Sequence, residues 1–362
     1  MKVFKVLFLA IPIFFFTCGT DNPGPINVPG NHQFGDWLIP YDNIYDGGPG
    51  KDGIPALLNP KLISAAEASY LSDADLVIGT LVNGEPRAYP HIILDWHEII
   101  NDQAGDQVYT INYCPLTGTG MNWKRNINGS INTFGVSGLL YNSNLILYDR
   151  DTDSNWSQMR AESVHGRYIG RSADLFPMLE TTWLTWKTMY PETMVVSLNT
   201  GIDRPYGNYP YVSNQTKEDY REAPFLIFPV TNDDDRLHRK ERVLGVRIGG
   251  EAKAYRFNDF EGNTIVRTNT IGGQPVVIIG NASKNFMTAY RSVLGGETLS
   301  FSGLDQSELP HVMTDNRGNT WDIFGRAVTG PDTGAELIVA EAYIGYWFAW
   351  AAFNPEIEII DF

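Results

Sequence analysis

Val77-Ile78-Gly79, followed by Asn83-Gly84-Glu85-Pro86-Arg87-Ala88-Tyr89, returns in the same chain as Val243-Leu244-Gly245, followed by Gly249-Gly250-Glu251-Ala252-Lys253-Ala254-Tyr255. Gly79 and Gly245 are 166 residues apart. Ser137-Gly138-Leu139 returns as Ser302-Gly303-Leu304 and Trp156 as Trp321, each after 165 residues, while Trp183, Trp186 and Pro191 return as Trp347, Trp350 and Pro355 after 164. Landmarks that hold register this closely over more than a hundred positions point to an internal duplication. The 362 residues also suit two globular units better than one core.

Local patterns indicate what each copy is made of. Val108 to Tyr113 alternates, and Val276-Val277-Ile278-Ile279 is a β-branched run suited to a strand buried on both faces. Asn83-Gly84 and Gly249-Gly250 lie between alternating flanks, as two-residue hairpin turns do. The Trp183/Trp186 and Trp347/Trp350 pairs have helical spacing and read as core residues packing a helix on a sheet. The fold expected from this is α+β and β-rich: two tandem homologous mixed-sheet domains, 52–196 and 223–362, with a pseudo-two-fold relation. A linker, 197–222, carries Arg204-Pro205-Tyr206-Gly207-Asn208-Tyr209-Pro210.

Ahead of the copies, Lys2 and Lys5 flank an apolar run from Val6 that ends at Cys18, the layout of a secretory signal closed by a lipidation cysteine. Residues 1–18 are therefore expected to be a lipoprotein-type signal and 19–51 a flexible tether rich in proline and glycine. The corresponding location is the cell envelope, extracytoplasmic, with a lipid anchor to a membrane. Loss of Lys2 and Lys5 would leave 25 basic against 42 acidic residues, a net charge of −17. That balance argues against nucleic acid as a partner.

If Cys18 is lipidated, Cys114 is the sole remaining thiol, and no internal disulfide can form. The copies also differ where Cys114 stands. Pro90-His91-Ile92-Ile93-Leu94-Asp95-Trp96-His97-Glu98-Ile99-Ile100 reads as a short amphipathic helix that the second copy lacks, and Asn281 or Ala282 falls opposite Cys114. Cys114 with His97 thus forms a candidate thiolate and imidazole site, for thiol chemistry or for a soft metal, copper or zinc. Glu98 is a candidate base or ligand. His91 would lie about 120° around the helix from His97, which disfavours a shared metal. Asp149, Arg150 and Gln158 read as a polar binding network or as structural anchors. The spacing of Asp149, Asp151, Asp153 and Asn155 imitates a calcium loop, but lacks glycine at its sixth position and has Arg160 where the closing glutamate belongs.

The strings Gly84 to Pro90, Trp96-His97-Glu98-Ile99-Ile100-Asn101-Asp102, Tyr113-Cys114-Pro115-Leu116, and Asp149-Arg150 through Trp156 and Gln158 resemble the bacterial family called domain of unknown function 3179. The resemblance spans most of the mature chain and implies a motif set without a reaction. In the family pattern a second cysteine stands where this chain has Thr117, so dithiol exchange is disfavoured here. Two function classes remain open. One is an extracytoplasmic site on Cys114 and His97. The other is a non-catalytic binding module for a glycan, peptide or protein partner.

Overall fold

The computed structural model describes residues 37–213 and 215–361, so Cys18, the signal and the start of the tether lie outside the described residues. The expected strands form, and the hairpin turns are as read: Asn83 and Gly84 have φ of 51° and 82°, Gly249 and Gly250 of 59° and 85°, the left-handed pair that a type I′ turn requires.

Apart from two two-stranded ribbons, Asn126–Ile127 with Ser130–Ile131 and Val293–Leu294 with Glu297–Thr298, the described strands assemble into six sheets of three to five strands. Blade 1 contains Leu62–Ser64, Leu76–Val82 and Glu85–Pro90, completed by the returning strands Leu179–Thr182 and Met194–Val196. Blade 2 contains Leu57–Leu58, Ile99–Ala104, Gln107–Cys114 and Thr119–Lys124. Blade 3 runs from Phe134–Tyr141 through Asn144–Asp149 and Asn155–Ser157 to Glu162–His165, with Ile44–Asp46 on its edge. Blade 4 is Arg242–Ile248 and Glu251–Arg256, completed by Glu341–Tyr346 and Glu358–Ile360. Blade 5 is Ile265–Ile271, Gln274–Asn281 and Phe286–Arg291, and blade 6 holds Phe301–Gly303, His311–Asp315, Thr320–Asp322 and Ala327–Thr329. Together they make a six-bladed β-propeller.

Two tandem α+β domains are therefore not what forms, and the packing shows why. One apolar cluster joins blades 1 and 2, another joins 2, 3 and 4, a third joins 4 and 5, and the fourth joins 5, 6 and 1. A three-blade arc would leave its first and last faces in water; the ring buries both against the other arc. The helices carry this exchange. Helix α2, Trp183–Met189 by the chain order used here, follows α1, His91–His97, and precedes α3, Lys217–Glu222, and α4, Trp347–Phe353. Trp186 of α2 covers Gly79 of its own blade but also meets Phe324 beside blade 6, ring to ring at 6.2 Å. Trp350 of α4 covers Gly245, while Phe353 meets Tyr141 of blade 3 edge-on at 5.4 Å, and Asn142 Nδ2 donates to Ala352 O at 3.2 Å. The tryptophans are core as expected, each buried.

Helix α1 is shorter than the sequence pattern suggested. Pro90 is its N-cap, and Glu98 at φ 55° ends it. Ile99 and Ile100 instead pair with Asn112 and Ile111 in blade 2. No helix among the described residues is long and apolar enough to cross a membrane.

Candidate functional site

The structure does not join His97 to Cys114. His97 Nδ1 lies 2.7 Å from Pro55 O and Nε2 2.6 Å from Tyr206 Oη, so both ring nitrogens are engaged, the second by the linker. Cys114 is buried at the end of its strand, its Sγ 3.7 Å from Ser143 O. Burial pushes its thiol up to about 11, and the neighbouring Glu98 carboxylate adds to the rise. Glu98 is buried too, accepts from Tyr211 Oη, and is itself pushed up to about 7 by desolvation. No group of three or more His, Cys, Asp or Glu among the described residues could hold a metal ion. A buried thiol with a raised pKa and an imidazole with both nitrogens occupied do not fit copper or zinc, which bind thiolate and free imidazole nitrogen.

At pH 8, iodoacetamide should therefore modify Cys114 in the native protein roughly 100-fold or more slower than a free thiol, because the thiolate is scarce and sealed. Mass spectrometry with and without denaturant measures this. Rapid native labelling would overturn the assignment of Cys114 as a packed residue.

Asp149, Arg150 and Gln158 act within the scaffold. Asp149 accepts from Trp156 Nε1 at 3.0 Å and from Thr152 N at 2.7 Å, closing a turn. Asp315 does the same for Trp321, also at 3.0 Å. Arg150 donates to Phe134 O and Asp52 Oδ1. Gln158 accepts from Thr119 and Asn144 and donates to Asn112, all buried.

A cavity of about 440 Å³ lies elsewhere, between blade 1, blade 4, α1 and the linker helix α3. Its wall carries a chain of charge in which the carboxylates are buried and the cations half-buried. Lys217 Nζ of α3 donates to Asp95 Oδ1 at 2.8 Å and reaches His91 Nδ1 at 3.3 Å. Arg242, the first residue of its strand, donates to Glu180 Oε1 and to Asn285 Oδ1, both at 2.7 Å. Tyr113 backs the chain: its ring lies 4.3 Å from that of His91 and under the Lys217 ammonium at 4.6 Å. Between the two halves of the chain stand His91 Nε2 and Glu180 Oε2, 3.7 Å apart, buried, and without hydrogen-bond partners. That separation is too long for a good hydrogen bond, and buried polar atoms left unpaired are costly enough to require an explanation.

The electrostatics follow from this arrangement. Desolvation, aided by Lys217 and Arg242, holds the His91 imidazole well below its ordinary range, so it is neutral. An ammonium can only donate, so Nδ1 accepts and Nε2 carries the proton. Glu180 is raised by burial, against the lowering effect of Arg242, and Asp95 is raised by burial against Lys217. Buried acid and neutral imidazole face each other at 3.7 Å, on two residues that line the cavity.

The angle between His91 and His97 on the helix argues only against a shared metal, and the residue pattern does not point to Glu180, Lys217 or Arg242. One signal was available. In the register of the repeat Glu180 corresponds to Ile344, and the structure pairs them equivalently, Glu180 with Ile78 and Ile344 with Leu244. A carboxylate in one copy opposite an apolar residue in the other is the same kind of difference that drew attention to Cys114. Lys217 has no counterpart because the linker is not repeated.

No curated protein and no solved structure matches this chain. A family model does match residues 51–357, most of the chain, with Cys114, His91 and Glu180 all inside the match, and the protein belongs to that family, described as Protein of unknown function (DUF3179).

Proposed function

We propose that this protein is a lipid-anchored extracytoplasmic binding protein that holds a small polar molecule in the cavity between blades 1 and 4. The observation that carries the reading is the unpartnered pair, His91 Nε2 and Glu180 Oε2, buried atoms of two residues that line a cavity of about 440 Å³, a volume in the range of small-ligand sites. A polar ligand would supply the missing partners and remove the cost of leaving them bare. This extends the binding-module alternative and puts it at an interior cavity. Thiol or metal chemistry at Cys114 with His97 draws no support from the partners these residues have.

The anchor belongs to the same proposal. Cys18 after an apolar run supports a lipidated N-terminus, and the proline-rich stretch behind it would carry the propeller clear of the membrane. The repeat supports descent by duplication, with three blades per copy, and a cavity lined by residues of both copies is where diverged side chains can build an asymmetric site.

Two measurements test this. Full-length protein in mild detergent is screened by thermal unfolding against a library of sugars, amino acids, organic acids and amines. A binder present at about 100 times its Kd stabilises the fold by about 2.7 kcal/mol, and the shift should disappear in His91→Ala. A library without a single stabilising compound rejects the cavity reading. Separately, cells fed a labelled fatty acid should yield a labelled protein, and Cys18→Ala should abolish the label. Persistence of label in that variant rejects the anchor.

A further inference from the structure

The charges around the cavity are arranged in a way that limits what can enter it. Lys217 is held by Asp95 and Arg242 by Glu180, so neither cation is free to bind an anionic ligand without giving up a buried partner. The other charged wall residues are Asp75, Glu218 and Arg221, which with the two pairs leaves one excess negative charge. An anionic ligand at the open positions would meet Glu180 Oε2 in a poorly screened interior, where like charges repel strongly. A cationic one would approach Lys217 and Arg242.

The two unpartnered atoms have complementary roles. His91 Nε2 is a donor, since its other nitrogen faces an ammonium, and Glu180 Oε2 is an acceptor. A hydroxyl group both accepts and donates, and its oxygen can lie about 2.8 Å from each of two atoms 3.7 Å apart. A carboxylate cannot donate, and an ammonium cannot accept. The remaining lining includes Tyr209 and Tyr346, whose rings combine an apolar body with a polar hydroxyl, as the faces and rim of a sugar ring also do.

Resting on the reading of the cavity as a ligand site, we infer that its ligand is a neutral polyhydroxylated molecule, a sugar unit or polyol, one hydroxyl of which bridges His91 Nε2 and Glu180 Oε2. Selectivity then comes from Glu180, which excludes acids, and from the saturated state of Lys217 and Arg242, which offers acids no compensation.

Isothermal titration of the full-length protein tests this with neutral hexoses, pentoses, N-acetylhexosamines and their disaccharides, set against glucuronate, glucosamine and glycine betaine. The expected result is saturable binding of a neutral sugar, with its uronic acid at least tenfold weaker. Glu180→Gln, which keeps the shape and removes the charge, should narrow that difference. Thermal unfolding of the variant checks that it is folded, and His91→Gln provides a second variant that leaves the Arg242 pair intact and should weaken neutral sugars by at least tenfold. Binding of glucuronate, glucosamine or betaine as tightly as any neutral sugar overturns the ligand class and leaves the cavity reading standing. So does failure of the whole sugar panel when another compound of the polar library binds. Failure of both panels overturns the two together.

Discussion

Trp350→Ala should lower the unfolding free energy by about 3–5 kcal/mol, the cost of removing a fully buried aromatic side chain and leaving a cavity. The indole is completely buried, stacks on Tyr343 with 4.3 Å between ring centroids, and covers Gly245 so closely that a Cβ there would lie 2.0 Å from the ring. Because α4 packs between blades 3 and 4, the loss opens the joint between the halves of the ring as well as one blade. Gly245→Ala should be destabilising for the opposite reason, overpacking by about 1–3 kcal/mol or more. The two changes share one space, so their effects should be strongly sub-additive in the double variant. Urea unfolding of the four proteins measures the cycle, and simple additivity would refute the contact. Trp350→Phe is the gentler probe. Trp186 Nε1 donates to Thr193 Oγ1 at 2.8 Å, whereas Trp350 Nε1 has no partner, Ile357 occupying the position equivalent to Thr193.

Arg242→Ala should cost about 3–5 kcal/mol at neutral pH, since it strands the buried Glu180 carboxylate without its cation. Glu180 is 2% exposed in its side chain and already raised by burial. Removing Arg242 raises it further, so the folded variant binds a proton that the unfolded chain, near 4.5, has lost. Wherever the folded state binds more protons, stability falls as pH rises. The deficit against wild type should therefore be largest near pH 7 and shrink toward pH 4. His91 acts in the same direction, because loss of Arg242 removes one of the charges that lower it and eases its protonation in acid. Denaturant unfolding of both proteins from pH 4 to 7.5 provides the comparison. A deficit that does not change with pH would mean that Arg242 acts by packing alone. Replacing both partners, Arg242→Leu with Glu180→Leu, should recover much of the loss, as neutral groups of similar size need no compensation.

Much of the local structure was legible in the residues. The hairpin turns at Asn83-Gly84 and Gly249-Gly250, the strands from Val108 and Val276, and the buried tryptophan helices all follow from short-range pattern, because period and turn chemistry act within a few residues. The boundary at Glu98 was not legible. Ile99 and Ile100 continue a helical apolar face on paper, and their pairing with Ile111 and Asn112 decides otherwise.

The residues alone carry the recurring motifs and the β-rich content, together with the signal-like start and the acidic balance. Whether the two copies close separately or together was decided in three dimensions, by the faces that each three-blade arc leaves bare. Trp347-Phe348-Ala349-Trp350-Ala351-Ala352 hints at this, being apolar all round and buried all round, as a helix between two sheets must be. The site belongs wholly to that closure. His91 and Glu180 come from the first half, Arg242 from the second and Lys217 from the linker, residues up to 151 positions apart in the chain. No local pattern constrains groups so distant; only the joining of the arcs brings an imidazole and a carboxylate to face each other across one cavity, and burial there gives them their chemistry.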